Sequence, residues 1–270
     1  AFKQSVWTQL NDRTQLCTYT RLYEYDDAGN LSEIQQTGTS SFTREIDVDS
    51  DTNRALLHID GVTPDFTGDF DANGNQIDIE HLAGVEWNYR DNLSRAVIIA
   101  RTGGDPDDAE HYVYDAAGQR VRKVTERLIS GTVVEIEEKI YLGGVEIKRI
   151  HQQGRSLTTI LDRSSLHVMD DTSRIALVHN WSLDTLEREV PAAQLNTNKP
   201  RYQHNNHLGS ASLELDTSGQ IISYEEYFPY GGTAFISGSS QSEVKLKEYR
   251  YTGKERDDAT SFYYYGARYY

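Results

Sequence analysis

Twelve residues from Asp69 to Glu80 have the side chains and spacing of a calcium-binding loop. Asp69, Asp71 and Asn73 occupy its first, third and fifth positions and Glu80 the twelfth, where EF-hand loops carry oxygen ligands for Ca²⁺. An EF-hand also needs a helix on each side, whereas Pro and Gly residues flank this loop. The stretch also falls in phase with a repeat described below. We therefore favour a β-turn here and keep calcium binding as the alternative.

Other residues suited to chemistry are isolated in the sequence. His204 and His207 are three residues apart, a spacing used by zinc sites, but no third ligand is evident, so a turn beside Gly209 is favoured. Cys17 is the only cysteine, which excludes a disulfide within the chain. Without an assignable His partner, Cys17 is better interpreted as a small buried apolar side chain than as a nucleophile. We predict no catalytic residue and no cofactor.

The composition favours a tyrosine-rich β-sheet protein. The chain has 18 Tyr against 7 Phe and 3 Trp, and Tyr suits strands because its ring packs while its hydroxyl reaches water. A net charge of −15 argues against a broad nucleic-acid surface, which needs clustered Lys and Arg. No apolar run approaches the roughly 18 residues of a membrane span, so membrane insertion is not expected. We expect a soluble piece of a longer protein.

A repeat, Tyr-x-Tyr-Asp-x-x-Gly, is the strongest signal in the chain. Aromatic residues two apart share one face of a strand, Asp can cap a turn with its own side chain, and Gly supplies positive φ. Each copy therefore predicts a β-hairpin, and stacked hairpins predict a long antiparallel sheet. The two clearest copies comprise Tyr23, Tyr25, Asp26 and Gly29, and Tyr112, Tyr114, Asp115 and Gly118; weaker copies surround Asp49, Asp71, Arg90 and Asp216.

The sequence also suggests three consecutive regions. Residues 1–150 are predicted to be the hairpin array, and residues 201–270 carry further motifs. Between them, residues 151–200 are predicted to combine irregular strands, a short helix and a loop. The helix is expected over Leu183–Val190, with Ser182 as its N-cap and Pro191 as its stop.

The repeat resembles the YD repeat of RHS proteins. Downstream motifs strengthen the resemblance: His207-Leu208-Gly209 is similar to a family signature, and Gly253-Lys-Glu255-Arg256-Asp257 resembles the start of the RHS-associated core. Residues 167–178 are similar to a stretch in the C components of insecticidal Tc toxin complexes. The motifs are ordered along most of the chain, which makes the match specific.

This resemblance implies an all-β fold in which stacked hairpins form part of a curved shell. It further implies that the shell encloses a C-terminal toxin polypeptide, that a second, B-type subunit completes it, and that the complex is secreted or delivered to a host after synthesis in the bacterial cytoplasm. The family's aspartyl autoprotease would lie beyond residue 270, so the chain itself is expected not to be an enzyme. Two alternatives are open: a carbohydrate- or surface-binding module with exposed Tyr rows, and part of an autoprotease precursor.

Overall fold

The computed structural model describes residues 8–9 and 18–270, so the interpretation of Cys17 lies outside the described residues. Two compact units are present. Of the described residues, the smaller unit comprises 18–78 and the larger comprises Thr8–Gln9 with Ile79–Tyr270. The predicted division of the chain into three regions, at residues 150 and 200, stays a prediction.

The smaller unit is a four-stranded antiparallel meander in which consecutive strands are neighbours. Among residues 18–78, only Gln36 and Leu56 are buried, so this sheet has little core of its own. Its strands are β2 (Tyr19–Tyr25), β3 (Leu31–Gly38), β4 (Phe42–Val48) and β5 (Ala55–Leu57).

The larger unit is a 13-stranded sheet. Strands β6 to β17 run in chain order and each pairs antiparallel with the next, while β1 (Thr8–Gln9) pairs parallel with β17 at one edge. The fold is therefore all-β, with the long antiparallel sheet of consecutive hairpins that the repeat predicted. The strands are β6 (Gly84–Trp87), β7 (Leu93–Ile99), β8 (Asp108–Tyr114), β9 (Arg120–Ser130), β10 (Val133–Leu142), β11 (Val145–Gln153), β12 (Leu157–Asp170), β13 (Ser173–Asp184), β14 (Lys199–Asn205), β15 (Ala211–Leu215), β16 (Ile221–Tyr227) and β17 (Thr233–Gly238).

The turn between β8 and β9 shows how the repeat makes a hairpin. The Asp115 N–H donates to the Gln119 carbonyl at 2.9 Å, and the Gly118 N–H donates to the Asp115 carbonyl at 3.1 Å. The Asp115 carboxylate accepts the N–H groups of Ala117 and Gln119, and Gly118 has φ +78°. The register shifts at Tyr114, as expected for a type I turn followed by a glycine bulge.

The same hydrogen-bond frame recurs at other turns with either Asp or Asn as the capping residue. Asp26, Asp71 and Asp216 cap turns in the Asp form. Asn88 and Asn206 use the side-chain carbonyl oxygen in the same position. The capped turn is therefore more frequent in the structure than the Tyr-Asp sequence motif suggests, because an Asn side-chain carbonyl can replace one carboxylate oxygen.

The helix predicted over Leu183–Val190 is wrong. Strand β13 continues to Asp184, and the buried Asp184 carboxylate then accepts the N–H groups of Arg188, Glu189 and Val190, which folds the chain into turns. The middle region contains two long strands, β12 and β13, of 14 and 12 residues, and their pairing has register shifts at two places. The one α-helix among the described residues is α1 (Gln241–Lys245), capped by Ser240.

The last thirty residues, 241–270, are here called the C-terminal segment, and they cover one face of the larger sheet. Leu246 packs in a buried cluster with Ile150, Ile160 and Trp181. Near the other end of the segment, Tyr269 packs against a cluster that includes Leu93 and Tyr112. No helix within the described residues is both long and apolar enough to cross a bilayer.

Candidate functional site: a buried ionic interface

The calcium-loop residues take part in the turn that the repeat predicts. The Asp71 carboxylate accepts the N–H groups of Asn73 and Asn75 and the side-chain amide of Asn75, while Gly74 has φ +88°. Asp69, Asp71 and Asn73 lie in the smaller unit, whereas Glu80 lies in the larger one. Over residues 18–270, no group of three or more His, Cys, Asp or Glu side chains is arranged to bind a metal. Calcium binding stays an untested alternative.

The two histidines considered for zinc, His204 and His207, lie on the surface beside a turn. His204 is exposed near the end of β14, and His207 lies within the turn that Asn206 caps. Gly209 provides the positive φ of this turn, at +77°. The turn interpretation of this segment accounts for these residues.

The remaining motif residues divide between hairpins and the C-terminal segment. Tyr23 and Tyr25 lie on β2, and Asp26 and Gly29 lie in the following turn of the smaller unit. In the larger unit, Tyr112 and Tyr114 lie on β8, Asp115 and Gly118 in the next turn, Leu208 in the Asn206 turn, and Gly253, Glu255, Arg256 and Asp257 in the C-terminal segment.

Glu255 and Asp257 are the centre of an extensive buried ionic network. Arg120 donates to Asp257 at 2.6 Å and to Glu255 at 2.6 Å, one from each terminal nitrogen. Lys123 Nζ lies 2.5 Å from Asp257, and Lys139 Nζ lies 2.8 Å from Glu255. The Arg120 side chain is 1% exposed and that of Asp257 is 0% exposed, so these are desolvated pairs. Such pairs need good geometry on every partner, because an unpartnered buried charge is costly.

Arg120 reaches this network because of the turn that precedes it. The register shift after Gly118 pairs Tyr114 with Arg120 and Val113 with Arg122. This bulge places Arg120 on the same face as Lys123, although the two residues are an odd number of positions apart. The repeat therefore both makes the hairpin and orients the arginine that follows it.

A row of four cations crosses this face of the sheet. Lys123 is directly opposite Lys139, Lys139 is opposite Lys148, and Lys148 is opposite Arg163. Like charges directly opposite on neighbouring strands are destabilising on their own. We call these four residues the cation row. Carboxylates of the sheet neutralise part of this row, with Glu146 at 2.8 Å from Lys139 and Glu137 at 3.1 Å from Lys148.

The C-terminal segment supplies much of that neutralisation. Glu248 lies 2.9 Å from Lys139 and 2.6 Å from Arg163. Burial alone would raise the pKa of Glu248, but Arg163, Lys139 and Lys148 lower it well below the usual value. Burial likewise opposes ionisation of Glu189, yet Arg163 and Lys148 lower the pKa of Glu189 to about 2. These carboxylates are therefore ionised where they meet the row.

Farther along the sheet the polarity of the interface reverses. On β16, Glu225 is the buried anion, and the segment provides Lys247 at 3.2 Å and Arg250 at 3.4 Å. Burial alone would raise the pKa of Glu225, but Arg250 and Lys247 lower it. Sheet cations thus meet segment anions on β9–β12, and sheet anions meet segment cations on β16. This alternation fixes the register of the segment, because a shifted segment would place like charges together.

Turns of the family motifs also meet at this interface. The Ala211 N–H donates to the Arg250 carbonyl at 3.0 Å, and the Thr252 N–H donates to the Ser210 hydroxyl at 3.0 Å. A Cβ added to Gly253 would lie 3.3 Å from the Gly209 carbonyl oxygen. The two glycine-containing motifs therefore pack against each other, and a side chain at Gly253 would crowd that contact.

The function that this geometry supports is attachment of the C-terminal segment to the sheet. The charged groups of the interface are buried and mostly paired with one another, and they fix the C-terminal segment to the sheet. Sequence reasoning identified Glu255 and Asp257 through their motif but missed the cation row and Arg120. The sequence does show a charged residue within each of several strand-like stretches. That pattern predicts a cation row only once the pairing register of the strands is known.

Comparison with known proteins shows which class of protein this chain resembles. No protein-family model matches the chain. Toxin subunit YenC1 of Yersinia entomophaga is 38% identical over 266 residues, covering 96% of this chain and 26% of YenC1. Toxin subunit YenC2 of the same organism is 33% identical over 269 residues, with the same coverage of 96% and 26%. The chain thus spans about a quarter of the length of these curated relatives.

Solved structures extend the match to the fold. The crystal structure of TcdB2-TccC3 superposes with a TM-score of 0.81 at 36% identity, covering 93% of this chain and 12% of that chain. The capped hairpin turns and the continuous sheet define an RHS/YD-repeat fold. More particularly, the chain is homologous to the C-type toxin subunits of Tc complexes, which confirms the resemblance that its motifs indicated.

Proposed function

We propose that this chain forms one segment of a β-sheet shell that encloses a C-terminal toxic polypeptide. Homology to toxin C subunits supports a role as a toxin component. The observation that carries the proposal is the sheet itself, in which β6 to β17 pair antiparallel in unbroken chain order. Such an array can be extended hairpin by hairpin into a wall, because each repeat contacts mainly its neighbours.

The covered face of the sheet is proposed to be the inner face of this wall. The C-terminal segment lies on that face, and Tyr270 exchanges backbone hydrogen bonds with Tyr263 there. A polypeptide continuing past Tyr270 would leave from the same side. The ionic interface would then attach the wall to the start of the enclosed chain.

A B-type subunit is the proposed partner that completes the shell. The support is the similarity to the TcdB2-TccC3 structure, which contains two named components. The complex would be secreted or delivered to a host after synthesis in the bacterial cytoplasm. Within this account the chain contributes no catalysis. Carbohydrate binding remains an alternative, and a glycan array with hits on this chain would favour it.

Cryo-electron microscopy of the full-length parent with its B-type partner tests the proposal. We expect a hollow particle with the C-terminal segment against the inner wall. A solid particle without a cavity would contradict the shell. Self-cleavage of the isolated chain would instead revive the autoprotease alternative.

Protease protection adds a functional readout on the same complex. The toxic polypeptide should resist added protease in the unsubstituted parent and become sensitive in Arg120→Leu, which breaks the buried interface. Arg122→Leu is the matched control, because Arg122 lies on the same strand with its side chain 51% exposed. Equal protection in all three proteins would show that the interface does not maintain enclosure.

A further inference from the structure

A polar pocket opens beside the place where the two glycine motifs meet. It has a volume of about 350 Å³ and lies between the β12–β13 hairpin end, the Asn206 turn and the Gly253 turn. Ser173, Arg174, Asn205 and Lys254 contribute polar or cationic groups to its lining. None of its 11 lining residues is Asp or Glu, although the chain has 42 acidic residues and a net charge of −15.

Arg174 differs from the other cations on the covered face. Its Nε donates to His167 at 3.0 Å, one terminal nitrogen donates to the Gly253 carbonyl at 3.3 Å, and its guanidinium lies 3.6 Å from the Tyr249 ring centroid. Within residues 18–270, no carboxylate lies within 4.0 Å of Arg174. By contrast, a carboxylate lies within that distance of each of Arg120, Lys123, Lys139, Lys148, Arg163, Arg201, Lys247 and Arg250.

The contacts of Arg174 fix its orientation while leaving part of its donor capacity unused. A guanidinium has five N–H donors, and the second terminal nitrogen of Arg174 makes no hydrogen bond to any described residue. The Tyr249 ring and the hydrogen bond to the Gly253 carbonyl together restrict its rotation. Burial also lowers the pKa of Arg174, the expected direction for a cation without a close counter-charge.

We propose that this pocket is a binding site for a small oxyanion, a phosphate or carboxylate group, with Arg174 as its principal ligand and Lys254 at its rim. Arginine suits this role because its planar fork can donate two parallel hydrogen bonds to one oxyanion. The oxyanion could be a free ion or the acidic side chain of a polypeptide, since both present the same atoms. The site borders the ionic interface, since Gly253 belongs to both, but it does not depend on the proposed function.

Titration of the 270-residue chain with two probes tests the site. Sodium phosphate and the peptide acetyl-Gly-Glu-Gly-amide are each followed by calorimetry and by the thermal unfolding midpoint, against sodium chloride at equal ionic strength. We expect saturable binding of at least one probe with Kd on the order of 1 mM, and a raised midpoint by mass action. Binding of phosphate alone assigns a free ion, and tighter binding of the peptide assigns an acidic side chain. No response beyond that of chloride to either probe would overturn the proposal.

Variants locate the binding. Arg174→Gln should weaken it roughly tenfold, and Lys254→Gln at the exposed rim roughly twofold. Arg155→Gln is the matched control, because Arg155 is exposed in the turn between β11 and β12 and should bind like the unsubstituted chain. If Arg174→Gln fails to fold, the Lys254 and Arg155 pair decides the location. Unchanged affinity in Lys254→Gln and in any folded Arg174→Gln would place the oxyanion elsewhere and overturn the assignment.

Discussion

The two compact units use the same capped turn but bury very different amounts of chain. The Asp26 turn of the smaller unit and the Asp115 turn of the larger one share the same backbone and side-chain hydrogen bonds. In the smaller unit, two residues of 18–78 are buried. In the larger unit, the C-terminal segment covers one face, and the charges and aromatic rings of that face are buried.

This difference separates two roles in the chain. The turn signature specifies hairpins wherever it occurs, because its hydrogen bonds are local. A buried face requires partners that lie far along the sequence, such as Arg120 and Asp257, which are separated by 137 residues. The repeat therefore builds the sheet, and the C-terminal segment stabilises the part that it covers.

The largest effect should come from removing one charge of the buried interface. Arg120→Leu leaves Glu255 and Asp257 without a principal partner, and we expect a loss of about 3–5 kcal/mol in the unfolding free energy of the larger unit. Arg122→Leu is the control on the same strand, because the Arg122 side chain is 51% exposed and its pair with Glu138 should be worth about 1 kcal/mol. Denaturant unfolding measures both variants. Similar losses of unfolding free energy in the two variants would contradict the difference between the covered and the exposed face of the sheet.

Acid should destabilise the covered sheet next most strongly. Burial opposes ionisation of Glu189 and Glu214, yet neighbouring cations lower the pKa of each to about 2, from 4.5 in a free side chain. A lowered carboxyl pKa contributes stability above 4.5 that is lost as the pH falls from 4.5 toward 2. Each group should contribute roughly 3 kcal/mol at neutral pH.

Unfolding of the larger unit at neutral pH and at about pH 3 measures this loss. Glu189→Gln should flatten the pH dependence, whereas Glu187→Gln, two positions away and exposed, should leave it unchanged. A pH dependence that is the same in both variants would exclude Glu189 as a source.

The turns should respond alike in both units. Gly29 and Gly118 have φ of +84° and +78°, and an added Cβ would contact nothing within 4 Å at either position. Alanine at each should therefore cost about 1–2 kcal/mol through the left-handed backbone alone. Gly144→Ala is the control, since Gly144 also has open space around it but no positive φ, and it should be neutral or slightly stabilising.

Hydrogen exchange distinguishes how the two units absorb the same local cost. We expect Gly29→Ala to accelerate exchange throughout β2 and β3, because little burial supports that hairpin. Gly118→Ala should instead lower the global stability of the larger unit, with little extra local opening. Local opening of the β8–β9 hairpin to the same degree would contradict the stabilising role of the C-terminal segment.

The smallest effect concerns two histidines with opposite pKa shifts. The hydrogen bond that the His58 ring donates to the Asp47 carboxylate raises the pKa of His58 above 6.5, while burial, with Arg163 and Arg201, lowers that of His179 well below 6.5. His58 thus stabilises the fold below pH 6.5 and loses this effect as the pH rises through its folded pKa. His179 loses stability as the pH falls below 6.5, because only the unfolded chain takes up the proton.

Nuclear magnetic resonance titration of the two imidazole rings measures these shifts. We expect His58 to titrate above 6.5, and His179 to stay neutral in the folded chain well below that pH. Titration of both rings close to 6.5 would show that the two environments do not differ as described.

Local features of this fold could be predicted from the sequence, and long-range ones could not. The Asp115 and Gly118 spacing specifies a turn by itself, so the hairpins and the all-β class followed. The cation row depends on which residues of four strands lie opposite, and a one-residue slip would move them to the other face. The prediction of a helix over Leu183–Val190 was wrong because the Asp184 carboxylate accepts three backbone N–H groups, which in a helix would donate to backbone carbonyls or stay free at its first turn.

The central claim is that Arg120 of the sheet and Asp257 of the C-terminal segment stabilise the fold as a pair. A double-mutant cycle with Arg120→Met and Asp257→Asn measures their coupling in the unfolding free energy most directly. We predict a coupling of about 2 kcal/mol or more, because each single change leaves a buried charge without its principal partner. Additive losses, with a coupling below about 0.5 kcal/mol, would contradict the claim.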